Sequence, residues 1–224
     1  MSAFNGDGAV RLLKADLGRQ ALLLEWLEGP TLAAEPDYAK AIGMAGAVAR
    51  QLARTCGPDD VRTLSTGAVG WIELLHQQHA MALHHGSAAP ENLFDLVVAI
   101  VRELGTDTTR TLTHGDLSLS NIMRAGPDRW VAIDPYFVAG TAANEAHTVI
   151  RSQLPVLLAS RSPSRLLRDW TARFSDGAAV DAGQAQRISL ARYLASYYWE
   201  AQHGGDPSNV ENLRLGLFLT ADQV

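Results

Sequence analysis

A polar segment at residues 113–121, set between two short β-prone runs, is the feature that most restricts the fold of this chain. The first run covers residues 110–113, and the second covers residues 130–134, after a turn that contains Gly and Pro. Most of the remaining sequence shows apolar residues at helical spacing. The pattern predicts an α+β protein in which a small β-hairpin with a polar loop is inserted into a mostly helical body.

Two further β-prone runs lie near the start of the chain, at residues 9–13 and 21–27. The turn-like segment 16–19 separates them, which predicts a second strand hairpin. Helical periodicity, together with start and stop signals, predicts helices over approximately residues 37–54, 67–85, 91–103, 144–159, 164–174 and 182–202. The last of these is expected to stop at the glycine pair 204–205.

The composition narrows the class of protein. A chain of 224 residues, 47% hydrophobic and 19% charged, is long enough to bury a core. Its single cysteine, Cys56, has no second cysteine for a disulfide, redox or zinc pair, which favours a reducing cytoplasm. Because the sequence lacks a signal-peptide pattern and an apolar run of about 18 residues, we expect neither secretion nor membrane insertion. A net charge of -5 disfavours nucleic-acid binding and would suit a cationic ligand.

Three polar side chains in and after the loop are candidates for chemistry: Asp116, Asn121 and Asp134. Phosphoryl transfer from a nucleotide needs an oriented nucleophile and cations that neutralise the phosphate charge. A carboxylate can orient the acceptor hydroxyl, and carboxamide and carboxylate oxygens are hard ligands that suit Mg²⁺. The tripeptide 114–116 alone is explained as well by a buried histidine and a capping aspartate. The added spacing to Asn121 and Asp134 favours a kinase-like loop.

The amino-acid sequence of this loop and of the element after it differs from the protein-kinase motifs in two places. It reads His-Gly-Asp, four residues and Asn, where protein kinases read His-Arg-Asp, and the later element reads Ala-Ile-Asp-Pro instead of Asp-Phe-Gly. With these departures the chain resembles the aminoglycoside phosphotransferase family. Segments 9–16, 21–32 and 130–135 are most similar to the streptomycin and hydroxyurea kinase branch. The resemblance covers nearly the whole chain and is strongest over residues 116–134.

The resemblance implies a protein-kinase-like fold with a mostly helical C-terminal lobe, and ATP and Mg²⁺ as cofactors. It implies that Asp116 acts as the base for the acceptor hydroxyl and that Asn121 and Asp134 hold the metal. His114 would be structural, and Gly115 would permit a tight backbone turn. The implied reaction transfers the γ-phosphate of ATP to a hydroxyl of a small antibiotic-like molecule, in antibiotic resistance or secondary metabolism.

Two further groups of residues take roles from the same resemblance. Residues Glu25, Trp26 and Leu27 would link the two lobes and contact adenine through backbone groups, with Leu27 offering its amide. The residues Trp199, Glu200 and Asp206 would surround a cationic substrate. For this second group, helix packing and solvated carboxylates are an alternative explanation.

The sequence before Glu25 is short for a complete nucleotide-binding lobe. Its 24 residues allow two strands and a turn, with no glycine-rich loop and phosphate-binding lysine of the usual kind. Lys14 is not that lysine by position, and the glycines of segment 6–8 indicate a turn. We therefore predict a remnant of the N-terminal lobe over residues 1–28 and the catalytic lobe over 29–224. A misplaced start, a truncated gene and a catalytically degenerate binding module are alternatives, and the oligomeric state stays open.

Other positions are less informative. Ser118 stands where many relatives have histidine, and Thr141-Ala142 follow Gly140 where an acidic residue is common. The histidines of the second helix, His76, His79, His84 and His85, invite a metal-site interpretation. No carboxylate completes a helical zinc pattern, so a solvated helix face with polar histidines is favoured.

Overall fold

The computed structural model describes residues 2–224. Within them, the helices are α1 (Tyr38–Leu52), α2 (Leu64–His84), α3 (Glu91–Leu104), α4 (Glu145–Arg151), α5 (Leu154–Leu158), α6 (Pro163–Ala178), α7 (Ala182–Gln202) and α8 (Pro207–Ala221). The strands are β1 (Leu12–Asp16), β2 (Ala21–Leu24), β3 (Leu112–Thr113), β4 (Ile122–Arg124), β5 (Trp130–Ala132) and β6 (Val138–Ala139). The α+β composition is confirmed.

The predicted hairpin at the front of the chain is confirmed as the antiparallel pair β1–β2. Asp16 accepts a hydrogen bond from the Arg19 N–H in the connecting turn, and Gln20 takes a left-handed conformation. The segment before the hairpin runs beside β5, since Val10 N donates to Ala132 O at 2.9 Å and Ala132 N donates to Gly8 O at 2.9 Å. This pairing attaches the front hairpin to the centre of the molecule.

The inserted hairpin is also present, but its strands are β4 and β5, which pair across a tight turn. The run at 110–113 contributes β3, which pairs with β6, a strand that the sequence pattern did not predict. The loop 114–121 therefore lies between two small sheets. Each sheet fixes one end of the loop, which restricts where its polar side chains can lie.

Most of the predicted helices are confirmed, with two corrections. The predicted helix 144–159 is two helices, α4 and α5, because in a continuous helix Pro155 would have no N–H for the Arg151 carbonyl and its ring would clash with that carbonyl. The sequence pattern also missed a helix that follows the glycine stop after α7. Helix α8 follows, and Asp206 caps it by accepting from Ser208 N and Asn209 N, with Pro207 in the first turn.

Helices α1 and α6 pack backbone to backbone on one side of the core. A Cβ at Gly46 would overlap the Phe174 carbonyl, and a Cβ at Gly177 would overlap the Gly43 carbonyl. Around this contact the core is continuous, and its largest fully buried side chains include Trp170, Phe174, Tyr193 and Tyr198. No helix within residues 2–224 is long and apolar enough to cross a membrane.

Candidate active site

The loop after β3 begins with a buried histidine and a glycine in the left-handed region. His114 has no exposed surface, and its Nε2 donates to Ile133 O at 2.8 Å. Its Nδ1 accepts the Asp116 N–H at 3.3 Å, so the two bonds together place the ring proton on Nε2. Gly115 has a φ of +82°, and a Cβ there would press against the Tyr136 carbonyl. These contacts turn the chain after β3, so that Asp116 lies outside the small sheet of β3 and β6.

Glu145 holds the other side of this turn, and sequence reasoning did not find it. Its side chain is 1% exposed, with Oε1 accepting from Gly115 N at 2.7 Å and Oε2 accepting from Leu117 N at 3.2 Å. As the first residue of α4, its carboxylate also lies at the positive end of a helix. The sequence feature that could have indicated it is that Glu145 is the only acidic residue between Asp134 and Asp169.

Asn121 is bonded to the loop through its amide nitrogen. Nδ2 donates to the Asp116 carbonyl oxygen at 2.9 Å, while the Asn121 carbonyl accepts from Ile133 N at 2.9 Å. Within residues 2–224 its Oδ1 accepts no hydrogen bond, so this oxygen is available as a ligand. The side chain is therefore oriented by the same residues that position Asp116.

Asp134 directly follows Ile133 and has a φ of +54°. This conformation costs about 1 kcal/mol in a residue with a Cβ, and such residues occur most often at functional sites. Ile133 fixes the position from the previous residue, because its N–H and carbonyl bond to Asn121 and His114. The Asp134 carboxylate makes no hydrogen bond within the described part of the chain.

The donor atoms of Asn121 and Asp134 fit Mg²⁺. An amide oxygen and a carboxylate are hard ligands, and Mg²⁺ on a nucleotide is commonly held by one or two such groups together with phosphates and water. Across residues 2–224 there is no cluster of three or more His, Cys, Asp or Glu that could hold a metal alone. A Mg²⁺ in this site would therefore depend on phosphate oxygens for part of its coordination.

Two cavities meet at this loop. The hairpin cavity, of about 1090 Å³, lies between the front hairpin and the body and is lined by Leu12, Leu24, Leu27, Met123, Asp134 and Phe137 among others. The helix cavity, of about 710 Å³, is lined by Arg62, Trp71, Asp116, Tyr136, Phe137 and Arg192 among others. Asp134 therefore opens onto the first cavity and Asp116 onto the second, with Phe137 in both walls.

Residues 25–27 lie along the hairpin cavity. The carboxylate of Glu25 accepts from Arg11 N at 2.8 Å and pairs with Arg129 at 2.9 Å, and the hydrogen bond from Arg129 lowers the pKa of Glu25. Trp26 is 85% exposed. The Leu27 N–H makes no hydrogen bond within residues 2–224, so it is available to a ligand in this cavity.

Arg192, on α7, is a second site residue that sequence reasoning missed. Its guanidinium donates to Asn144 Oδ1 at 3.1 Å and to Thr148 Oγ1 at 3.5 Å. Burial lowers its pKa, and the negative charge of Glu145 acts in the opposite direction. His147, below it, is fully buried, which together with the charges of Arg192 and Arg151 lowers its pKa well below the ordinary value.

Comparison with known proteins identifies the family of the chain. A sequence profile described as aminoglycoside/hydroxyurea antibiotic resistance kinase matches residues 1–204. The chain belongs to this family. It is 28% identical over 214 residues to streptomycin 6-kinase of Streptomyces glaucescens, covering 94% of this chain and 69% of that protein. It is 27% identical over 208 residues to hydroxyurea phosphotransferase of Kitasatospora aureofaciens, covering 91% and 58%.

The fold of this antibiotic-resistance-kinase family member is kinase-like. It matches the solved choline kinase LicA of Streptococcus pneumoniae with a TM-score of 0.59 and 10% identity, covering 96% of this chain and 75% of that one. The fold class and the family branch, which the resemblance of the loop and of segments 9–16, 21–32 and 130–135 implied, are both confirmed. The chain spans 58 to 69% of the length of the two curated relatives named above.

The residues expected around a cationic substrate of this kinase lie apart from the helix cavity's main wall. Trp199 follows Ser196 by almost one turn on the same face of α7, but it is exposed and stacks on His203. The Glu200 carboxylate lies against Gly205, and Asp206 caps α8. By the same spacing Glu200 also extends from this face of α7, but none of the three side chains lines the helix cavity.

The prediction that the histidines of α2 form a solvated face is wrong for His79. His79 is buried rather than solvated, with Nδ1 2.6 Å from the Tyr198 hydroxyl and its ring stacked on Phe94. The ring of His76 meets the same Phe94 edge-on. The Tyr198 hydroxyl also accepts the Ala89 N–H at 3.0 Å. In this kinase the pair His79–Tyr198 joins α2, α7 and the chain before α3.

Proposed function

We propose that this chain carries the catalytic machinery of a small-molecule kinase that transfers the γ-phosphate of ATP to a hydroxyl of a small acceptor. The observation that carries the proposal is the hydrogen-bonded unit of residues 114–121 and 133–134, which presents Asp116 to one cavity and Asp134 to the other. A donor and an acceptor can thus approach the same loop from opposite sides. The family name and the two named relatives support an antibiotic-like acceptor and a role in resistance.

Each residue has a defined part in this reaction. When bound, Mg²⁺-ATP supplies the phosphoryl group and the cation that neutralises its charge. Asn121 Oδ1 and the Asp134 carboxylate would hold that cation. Asp116 orients the acceptor hydroxyl and takes its proton as the hydroxyl oxygen forms a bond to the γ-phosphorus and the bond to the β,γ-bridging oxygen breaks.

The hairpin cavity is assigned to the nucleotide. Its walls are mostly apolar, with several leucines, Trp26 and Phe137, which suits a flat base, and the Leu27 N–H is available as a donor to it. In the same proposal, residues 1–28 contribute the nucleotide side and residues 29–224 the catalytic and acceptor side.

The second candidate function is a binding module that has lost triphosphate chemistry. The observation in its favour is that the residues that line the hairpin cavity include no lysine or arginine to hold the α- and β-phosphates. Lys14, on β1, is exposed. Under this alternative the acceptor cavity would bind its ligand without turnover.

Titration calorimetry with Mg²⁺-ATP separates the two candidates. The kinase proposal predicts binding that needs Mg²⁺ and weakens at least about tenfold in Asp134→Asn, because that substitution removes a charged metal ligand. Asp128→Asn, on the exposed β4–β5 turn, is the matched control and is expected to bind as the parent does. Absence of Mg²⁺-ATP binding would favour the binding module, and equal binding by Asp134→Asn would contradict the metal assignment.

The direct test of the proposal is Mg²⁺-dependent ADP release with a panel of hydroxyl compounds that includes streptomycin and hydroxyurea. The proposal predicts release that depends on both the metal and an acceptor. No release with any acceptor would contradict it.

A further inference from the structure

The carboxylate of Glu145 is a buried charge without a directly paired cation. Its side chain is 1% exposed, and its two oxygens accept the N–H groups of Gly115 and Leu117. Within residues 2–224 it forms no ion pair with a lysine, arginine or histidine. An ionised carboxylate that is removed from water is costly unless nearby charges and dipoles compensate it. The groups packed around the start of α4 therefore determine how well this charge is held against the loop.

The hydrogen bonds of Arg192, on α7, fall on either side of Glu145 along the chain. Its Nη1 donates to Asn144 Oδ1 at 3.1 Å, and its Nη2 donates to Thr148 Oγ1 at 3.5 Å. Asn144 directly precedes Glu145, and Thr148 follows Glu145 by almost one turn on the same side of the helix. The planar guanidinium group thus fixes the first turn of the helix that carries Glu145.

The charge of Arg192 interacts with two carboxylates of the site. Burial lowers the pKa of Arg192, and Glu145 is the strongest of the charges that oppose this effect, with Asp116 acting in the same direction. Arg151, the other cation that acts on Arg192, lies in the last turn of α4. A guanidinium group keeps its charge in proteins. Arg192 therefore supplies a permanent positive charge at the start of α4, where the Glu145 carboxylate lies.

The side chain of Asn144 depends on Arg192 for its orientation. It is 1% exposed, and the bond from Arg192 is the only hydrogen bond that its side chain makes within the described residues. Its Nδ2 is buried without a partner. A buried polar group that is left without partners destabilises a protein, so this contact matters to the start of α4. Both oxygens that Arg192 binds are neutral, however, and a neutral donor could serve them as well. The need for a charge at this position comes from Glu145.

We propose that Arg192 is a positioning residue for Asp116. Its charge and its two hydrogen bonds hold the ionised Glu145 carboxylate against the loop amides, and the loop in turn holds Asp116. This inference rests on the proposed function, because it assigns a part in the reaction of that same site. If Arg192 served only to pack α7 on α4, its positive charge would be dispensable and its effect would not depend on Glu145.

A double-mutant cycle of Arg192→Met and Glu145→Gln, measured by denaturant unfolding, tests this coupling without turnover. Each single variant is expected to lower the unfolding midpoint. The double variant should lose clearly less than the sum of the two, because a neutral residue 145 gives the charge of Arg192 nothing to stabilise. Arg187→Met is the matched control on α7, since Arg187 pairs with Glu103, and its loss should add to that of Glu145→Gln. Additive losses for Arg192→Met would overturn the inference.

Acceptor-dependent ADP release by Arg192→Gln and Arg192→Lys tests the effect on Asp116. The first variant keeps hydrogen bonding without the charge, and the second keeps the charge without the planar fork. We expect kcat to fall about tenfold in Arg192→Gln with KM for Mg²⁺-ATP unchanged, because the base is misplaced while the metal ligands stay. Arg192→Lys should recover most of kcat.

Parent-like turnover by Arg192→Gln, or a loss confined to KM, would contradict the positioning role. The lysine variant keeps the test valid if Arg192→Gln does not fold. A kcat as low in Arg192→Lys as in a variant without the charge, or far below that of the parent, would show that the charge is not what the site requires.

The two proposals fail in different ways. Non-additive unfolding losses without acceptor-dependent ADP release by the parent chain would support the coupling of Arg192 to Glu145 and contradict the kinase function. Acceptor-dependent release by the parent, together with additive losses and an unchanged kcat in Arg192→Gln, would support the kinase function and overturn the role of Arg192.

Discussion

The carboxylate of Glu145 determines the shape of the Asp116 loop. It accepts two backbone N–H groups, from Gly115 and Leu117, in a site that excludes solvent. A carboxylate can accept both bonds, whereas an amide has one oxygen and would turn an N–H₂ group toward a backbone donor. Under the proposed function, the residue is a positioning residue, since it holds the loop that carries Asp116.

Replacing Glu145 with Gln is expected to destabilise the protein by about 1–3 kcal/mol, because one buried backbone N–H loses its acceptor. The same change should lower turnover, since the loop that carries Asp116 loses one of its two supports. Thermal or denaturant unfolding together with ADP release measures both effects. Glu73→Gln, at an exposed position of α2, is the matched control. Unchanged stability and turnover in Glu145→Gln would show that the loop does not depend on this carboxylate.

At the residue scale, the spacing in the sequence predicted the candidate residues of the loop. It did not predict the side chains that hold the loop in place. Asp116, Asn121 and Asp134 are separated by short, fixed distances along the chain, and the structure brings them to one hydrogen-bonded unit. Glu145 and Arg192 act through the packing of α4 and α7 on this unit, which no local pattern encodes. Their contribution depends on tertiary structure.

At the scale of elements, the packing of α1 against α6 depends on two glycines. Gly46 and Gly177 let the two backbones approach until a Cβ on either would overlap a carbonyl oxygen of the other helix. Glycine weakens an isolated helix, so its presence in both is offset by the close contact. This contact lies on one side of the core that supports α4 and α7.

Gly46→Ala is expected to destabilise the fold by about 3 kcal/mol, because the helices must move apart to make room for the added methyl group. Gly70→Ala is a matched control on α2, where a Cβ would meet no atom within 4 Å. That control should stabilise the protein by about 0.5–1 kcal/mol through helix propensity. Denaturant unfolding of the two variants checks the opposite signs, and equal effects would contradict the close-packed interface.

The elements also show which sequence signals were strong. Helices α1 and α3 have clear apolar faces, and the structure places them where periodicity predicts. Helix α8 was not predicted, although Asp206 and Pro207 mark its start, and its apolar residues are not concentrated on one face. Strand β6, of two residues, is too short for a pattern to reveal.

At the scale of the whole molecule, the chain is a helical body with a loop at the meeting point of two cavities. The front hairpin leaves Leu13, Leu22 and Leu23 exposed on strands that pair only with each other within the described residues, and Leu17 is exposed in the turn between them. The helical body carries Asp116, Asn121 and Asp134, the proposed base and metal ligands, together with the cavity proposed for the acceptor. The kinase-like fold and the family follow from this body, and so does the central proposal that Asp116 serves phosphoryl transfer.

The most direct measurement of that claim is Mg²⁺-dependent ADP release by the parent chain, Asp116→Asn and Asp128→Asn, with the best acceptor from the panel of hydroxyl compounds that includes streptomycin and hydroxyurea. The account predicts that Asp116→Asn loses about 10³-fold in acceptor-dependent release while its Mg²⁺-ATP binding persists, because the substitution removes the base and leaves the metal ligands intact. Asp128→Asn should turn over as the parent does. Turnover by Asp116→Asn equal to that of the parent would contradict the assignment of this loop as the catalytic site.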